Sequence, residues 1–164
     1  MITTQDIKYS SEFWKIAEHI SKARSQLSEK VYAKGTDKYR GDQEKEISIT
    51  GVIGELIAQE YANDHNLKTK FAPLVDLYPI ATPDVIFLQD GKWNLKMDIK
   101  TIPLGKNFLN INANSHNNPD KKVDYYWCIK LLSKEMTSML LIPHHDVYYW
   151  EQKIGYTEYF SKRI

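Results

Sequence analysis

The dipeptide Asp90-Gly91 stands between two runs of apolar-rich, strand-like sequence, residues 84–89 and 92–101, and it constrains this chain more than any other feature. Asp-Gly tolerates the left-handed backbone of a tight hairpin, so the two runs are predicted to be adjacent antiparallel strands. In the second run Trp93, Leu95, Met97 and Ile99 point to one side, and Asn94, Lys96, Asp98 and Lys100 point to the other. Asp98 and Lys100 therefore share a face. The position of Asp84 depends on register. A strict two-residue turn pairs Asp84 with Met97 and parts the two acids, while placing Ile86 and Leu88 beside Leu95 and Trp93. A three-residue turn sets Asp84 across from Asp98, with Val85 and Phe87 beside Met97 and Leu95. Apolar matching leaves both registers open, and a bulge at Pro83-Asp84 would also turn Asp84 inward.

Chemistry favours the facing register. Directly opposed β-carbons lie about 4.5–5.5 Å apart, close enough for two carboxylates to share one divalent cation. Without a cation the two charges repel, and one carboxyl is driven to take up a proton. With one, an ammonium such as Lys100 is placed to orient an attacking water or to offset charge on phosphorus.

Two helices are predicted upstream. Phe13, Trp14, Ala17, Ile20, Ala23, Leu27 and Val31 recur at helical spacing over residues 10–34, with Ser10 or Ser11 as cap. A polar segment, residues 36–46, follows. Val52, Ile53, Leu56, Ile57 and Tyr61 form the apolar stripe of a second helix over residues 49–65. Gly51 and Gly54 inside it imply close approach of another backbone, and Glu55 beside them implies a cleft. Further strands are expected at residues 69–75, 108–112, 124–132 and 138–142, giving an α/β fold with a mixed sheet. Between them, residues 104–122 lack helical period, and a short irregular helix at 114–121 is the most they support.

The order GVIGE in a helix, then Pro83-Asp84, then an acid fourteen positions on followed by x and Lys, resembles the PD-(D/E)xK nuclease superfamily. The matching residues are Glu55, Asp84, Asp98 and Lys100, with Thr101 following. The resemblance covers roughly residues 49–142 and extends into VDYYWCIKL as the next core strand. It implies a restriction-endonuclease-like fold: a central mixed β-sheet flanked by helices, with the first helix as an N-terminal accessory element. The chain then divides into residues 1–48 (accessory helix and connection), 49–142 (nuclease core) and 143–164 (a C-terminal aromatic segment) of one domain. The implied activity is a DNA endonuclease dependent on Mg²⁺, with Mn²⁺ as substitute. Asp84, Asp98, the Ile99 carbonyl and Glu55 hold the metal, and Lys100 serves the nucleophilic water. Cutting both strands of a duplex implies a homodimer.

Around this centre, Lys96, Thr101, Lys106, Asn114, Ser115 and His116 are candidate DNA contacts, since lysines and polar loop side chains bind phosphates and base edges. Tyr148, Tyr149, Trp150, Tyr156, Tyr159 and Phe160 are either a stacking surface for bases or packing for the first helix or a dimer interface. His144-His145 lacks the spacing of a structural zinc site. Twenty-two basic against 21 acidic residues neither demand nor exclude nucleic acid, which depends on local clustering. A lone cysteine, Cys128, rules out an internal disulfide and suits a reducing cytoplasm; no apolar run reaches the roughly 20 residues of a membrane span. Two alternatives stay open: a fold of this type kept as a nucleic-acid-binding or assembly module without turnover, and a ribonuclease.

Overall fold

The computed structural model describes residues 5–31, 44–75 and 83–164. The end of the first predicted helix and residues 36–43 of the polar segment lie outside them.

Strand β1 (Gln5–Lys8) leads into helix α1 (Phe13–Val31). The Ser10 hydroxyl accepts the Glu12 amide and the Ser10 carbonyl accepts that of Phe13, which is how the sequence starts this helix. Helix α2 (Glu44–Asp64) begins five residues before its apolar stripe predicts. Glu46 and Ile47 in its early turns are exposed, so they carry no burial signal. Strands β2 (Thr69–Phe71), β3 (Val85–Gln89), β4 (Lys92–Ile102) and β5 (Phe108–Asn112) follow. A short helix α3 (Ala113–Asn117) and a 3₁₀ turn (Pro119–Lys121) occupy the expected irregular helix, each started by an asparagine side chain, Asn112 and Asn118. Strands β6 (Tyr125–Leu131) and β7 (Met136–Pro143) lead to a 3₁₀ helix (His144–Tyr149) and the hairpin β8 (Glu151–Ile154) and β9 (Glu158–Arg163).

The main sheet is mixed, in the order β1-β7-β6-β4-β3-β2, with β4 and β6 parallel and the other pairs antiparallel. A second, antiparallel sheet has the order β5-β9-β8. The parallel pair follows from connectivity. The excursion through β5 and α3 returns the chain to the same end of the sheet before β6 starts.

Alternation along β4 and β6 splits the core in two. Met97, Ile99, Trp127, Ile129 and Leu131 face Val52, Ile53, Ile57 and Ala58 of α2 and Ala17 of α1. Ile102, Tyr126 and Cys128 face Leu109, Ile111, Val147 and Phe160 from the second sheet and its connections. Cys128 is thus a small core residue, its thiol pushed up to about 12 by burial. The three layers are helices, main sheet, and small sheet with its turns, an architecture in which each face of the main sheet has an apolar cover. No helix among the described residues is long and apolar enough to cross a membrane.

Candidate metal and phosphate site

The hairpin resolves the register question in an unexpected way. Asp90 and Gly91 have φ of 50° and 75°, the two positive values of a two-residue I′ turn. Gln89 pairs with Lys92 and Leu88 with Trp93, as that turn dictates. The ladder then shifts between Phe87 and Leu88: Phe87 pairs with Leu95, Ile86 with Lys96 and Val85 with Met97. Asn94 is the extra residue on β4, a β-bulge. Both registers weighed from the sequence are therefore present, one at the tip and one at the root.

Carried one residue beyond Val85–Met97, the root register brings Asp84 against Asp98. The two carboxyls are close enough for one proton to be shared between them. The Ile99 amide donates to Asp84 Oδ2 at 2.7 Å, so the side chain takes a donor that the ladder leaves beyond the end of β3. Lys100 Nζ lies 2.5 Å from Asp98 Oδ2. Burial and then the Asp98 charge push Asp84 up to about 8, so at neutral pH it keeps its proton and donates it to Asp98. Burial works against the Asp98 charge too, but Lys100 and the bond from Asp84 outweigh it and hold that carboxyl below its usual range. The pair carries one negative charge where two are available.

Glu55 is placed differently from the sequence expectation. Its carboxylate meets Arg24 of α1 at 2.8 Å, and Arg24 Nε also donates to the Leu74 carbonyl. Burial raises Glu55 and Arg24 opposes the rise; Asp98 and Lys100 are near enough to act on it electrostatically. Gly54 explains the approach of α2. A β-carbon there would lie 1.8 Å from Thr101 Oγ1, so the helix crosses β4 at Thr101 only because residue 54 has no side chain. Gly51 faces open space and takes no part. Arg24 carries a signal that the helical stripe obscures: at four residues after Ile20 and three before Leu27, it is a lone cation within the apolar face of α1.

Asp98 opens on a cleft of about 270 Å³ lined also by Pro83, Lys96, Lys100, Ser115 and Tyr126, and by residues 120–123 with Lys121 and Lys122; Asp84 lies behind Asp98, outside the lining. Of the candidate DNA contacts, Lys96 and Ser115 line it. Asn114 is exposed, outside the lining. Lys106 is exposed in the turn after β4 and also lies outside it. Thr101 Oγ1 is buried under α2 without a hydrogen-bond partner among the described residues, so this hydroxyl is not offered to a phosphate. His116 is 2% exposed and Nδ1 lies 2.7 Å from the Tyr126 hydroxyl, which places its ring in the core beside the cleft.

Comparison with protein-family models, curated proteins and solved structures yields no match. Geometry alone must therefore say what the site can hold. Among the described residues no three His, Cys, Asp or Glu side chains are arranged around a common point. Two carboxylates that share a proton do fit a divalent cation: Mg²⁺ takes one or two protein carboxylates and keeps several waters. The Ile99 carbonyl is a further donor on the same edge, because N–H and C=O of an extended residue face the same neighbouring strand.

Proposed function

We propose that this chain is a divalent-metal-dependent deoxyribonuclease, an endonuclease of the restriction-endonuclease-like type. The observation that carries the reading is the coupled Asp84–Asp98 pair beside Lys100, with Asp98 and Lys100 lining a cleft that also holds three further lysines. A bound Mg²⁺ supplies a Lewis acid at the scissile phosphate and a water of lowered pKa. Asp84 and Asp98, with the Ile99 carbonyl, are the groups that hold it.

The rest of the work belongs to the chain's own side chains. The Ile99 amide fixes the Asp84 carboxyl, so that donor is ordered in advance. Lys100 balances Asp98 and stands where charge on a transferring phosphoryl group needs offsetting. Lys96, Lys121 and Lys122 form the phosphate-binding rim, with the Ser115 hydroxyl as an uncharged donor. Glu55, tied to Arg24, supports the site from behind. DNA is the substrate in this reading and a homodimer its working form on duplexes.

The test is a nicking assay on supercoiled plasmid with Mg²⁺, beside calorimetric titration of the metal. Wild type should bind Mg²⁺ and nick. Asp98→Ala should do neither while keeping its circular dichroism. Normal cutting by Asp98→Ala sinks the assignment.

A second reading has its own support. Glu55 is engaged by Arg24 and Lys100 by Asp98, so the pieces are closed on one another, as in a binding or assembly module without turnover. Tight metal and DNA binding with no cleavage of any DNA favours it. Matched RNA and DNA strands in the same assay test the ribonuclease alternative.

A further inference from the structure

A second cleft, of about 490 Å³, adjoins the first. The segment from α3 through the 3₁₀ turn is the ridge between them, and Lys122 and Val123 line both sides. Beyond the ridge the walls change character. Tyr148, His116 and His144 supply rings, Asn117 and Asn118 supply amides, and no lysine other than Lys122 is present among the described lining residues.

The rings are arranged as a platform. His116 and His144 stack with centroids 3.9 Å apart, and the Tyr148 ring meets His116, His144 and Phe160 at steep angles of 60°, 74° and 83°. Two edge-on contacts and one tilted contact fix the tyrosine, yet it is 52% exposed, so a ring of set orientation is left open to solvent. His116 is buried, and its Nε2 has no hydrogen-bond partner among the described residues. A buried polar atom without a partner costs free energy unless something satisfies it. The Asn118 carboxamide oxygen is engaged with the Asp120 amide, while its nitrogen and the exposed Asn117 are suited to hydrogen-bonding with a polar edge.

We infer that this second cleft binds an unstacked nucleobase, stacked on Tyr148, whose phosphate lies at Lys122 on the ridge. The inference rests on the reading of the first cleft as the place of phosphodiester cleavage. In a nucleotide, base and phosphate are joined through one sugar, so adjoining clefts with one shared lysine take both. Aromatic rings bind any base face, and amides add a polar edge. A base inside a duplex reaches such a cleft only by unstacking and unpairing, which costs a few kcal/mol and is least for single strands and frayed ends. The enzyme is therefore selective for single-stranded or end-frayed DNA over intact duplex.

The test is fluorescence anisotropy in EDTA, where no cutting occurs, with a labelled single-stranded 12-mer and the same strand in a duplex. Wild type binds the single strand more tightly. Tyr148→Ala weakens single-strand binding by about 5- to 150-fold, the range for loss of one base–aromatic stack, and leaves duplex binding unchanged. Tyr148→Leu keeps apolar packing against Phe160 and removes the aromatic face; it gives the same loss if Tyr148→Ala fails to fold. Equal affinity for both strand forms, or no effect of Tyr148→Leu, overturns the inference. Competition by AMP, removed by Tyr148→Leu, against none by ribose 5-phosphate shows that a base is what binds; AMP that displaces the 12-mer equally from wild type and variant overturns it. Strand preference without nicking leaves the subsite standing and removes the nuclease reading. Nicking without strand preference does the reverse.

Discussion

Replacing Asp84 by asparagine should stabilise this protein while weakening the proposed metal site. Asp84 is held at about 8, against 3.8 for an ordinary aspartate, by burial and by the Asp98 charge. Between those two values the native chain keeps a proton that the unfolded chain releases. Stability therefore falls as pH rises from about 4 and levels off above about 8. At 1.36 kcal/mol per unit, the loss by pH 7 has an upper limit of about 4 kcal/mol, and shared titration with Asp98 reduces it to about 2–4 kcal/mol. The carboxamide of the Asp84→Asn variant has no proton to lose. Its Oδ1 can accept the Ile99 amide and its Nδ2 can donate to Asp98, as the protonated acid does. The Asp98 contribution has the opposite sign and is lost only on acidification below the usual aspartate range, outside the window of interest. Thermal melts in EDTA at pH 5, 7 and 9 should show the smallest gap at pH 5, at most about 1.6 kcal/mol or 3–6 °C. At pH 7 and 9 the variant should melt about 5–15 °C higher, using 2–4 °C per kcal/mol for a chain of this size. Saturating Mg²⁺ should close that gap by stabilising wild type alone. A variant that melts below wild type at pH 9, or a gap that does not change with pH, refutes the argument that the two acids oppose each other.

Further outcomes follow from the same geometry. Gly54→Ala drives a β-carbon into Thr101 and should lower the urea-derived stability by about 1–3 kcal/mol, whereas Gly51→Ala, facing open space, should raise it by up to about 1 kcal/mol; like behaviour of the two contradicts the packing of α2 on β4. Deleting Asn94 lets the two-residue turn run as a straight ladder into Phe87–Leu95, which keeps Asp84 against Asp98, so calorimetry should show Mg²⁺ binding retained; binding lost in the deletion variant shows that the Phe87–Leu95 register does not set the acids. Arg24→Ala strands the Glu55 carboxylate, and at side-chain exposures of 28% and 20% the cost should be about 1–3 kcal/mol, less than for a fully buried pair. Because Glu55 then rises further, the cost should grow from pH 5 to pH 8, with partial recovery in Arg24→Lys; a pH-independent loss shows that the ion pair is not its source.

The parts of this fold legible in sequence are those where one residue type has few uses. Asp-Gly marks the turn, the alternation in β4 assigns Asp98 and Lys100 to one face, and Gly54 announces a close crossing. The repulsion between facing acids is likewise readable as a proton that one must keep. Strand β1, with only Ile7 even half-buried, has no alternation to detect, and β8 and β9 lie inside an aromatic segment whose composition suits a surface or an interface equally well. The bulge sits at Asn94, away from the Pro83-Asp84 entry where the sequence offers one. Apolar matching supports both registers because the chain uses both, and no local propensity of Asn94 reveals where one gives way to the other. The sequence neighbours of Glu55 point to a cleft, but its partner sits thirty-one residues away on another helix. The burial of His116 depends on rings from β6, β9 and the 3₁₀ helix, contacts that sequence spacing does not encode.

The extra residue in β4 makes the hairpin tip an exchangeable part. The acids answer only to Phe87 meeting Leu95, so residues 88–94 can be rebuilt as any loop of that span, with a three-residue turn and straight ladder as well as with the present bend. Loops grafted there, including a fluorophore or an affinity peptide, should travel with the protein without disturbing the pairing of its acids.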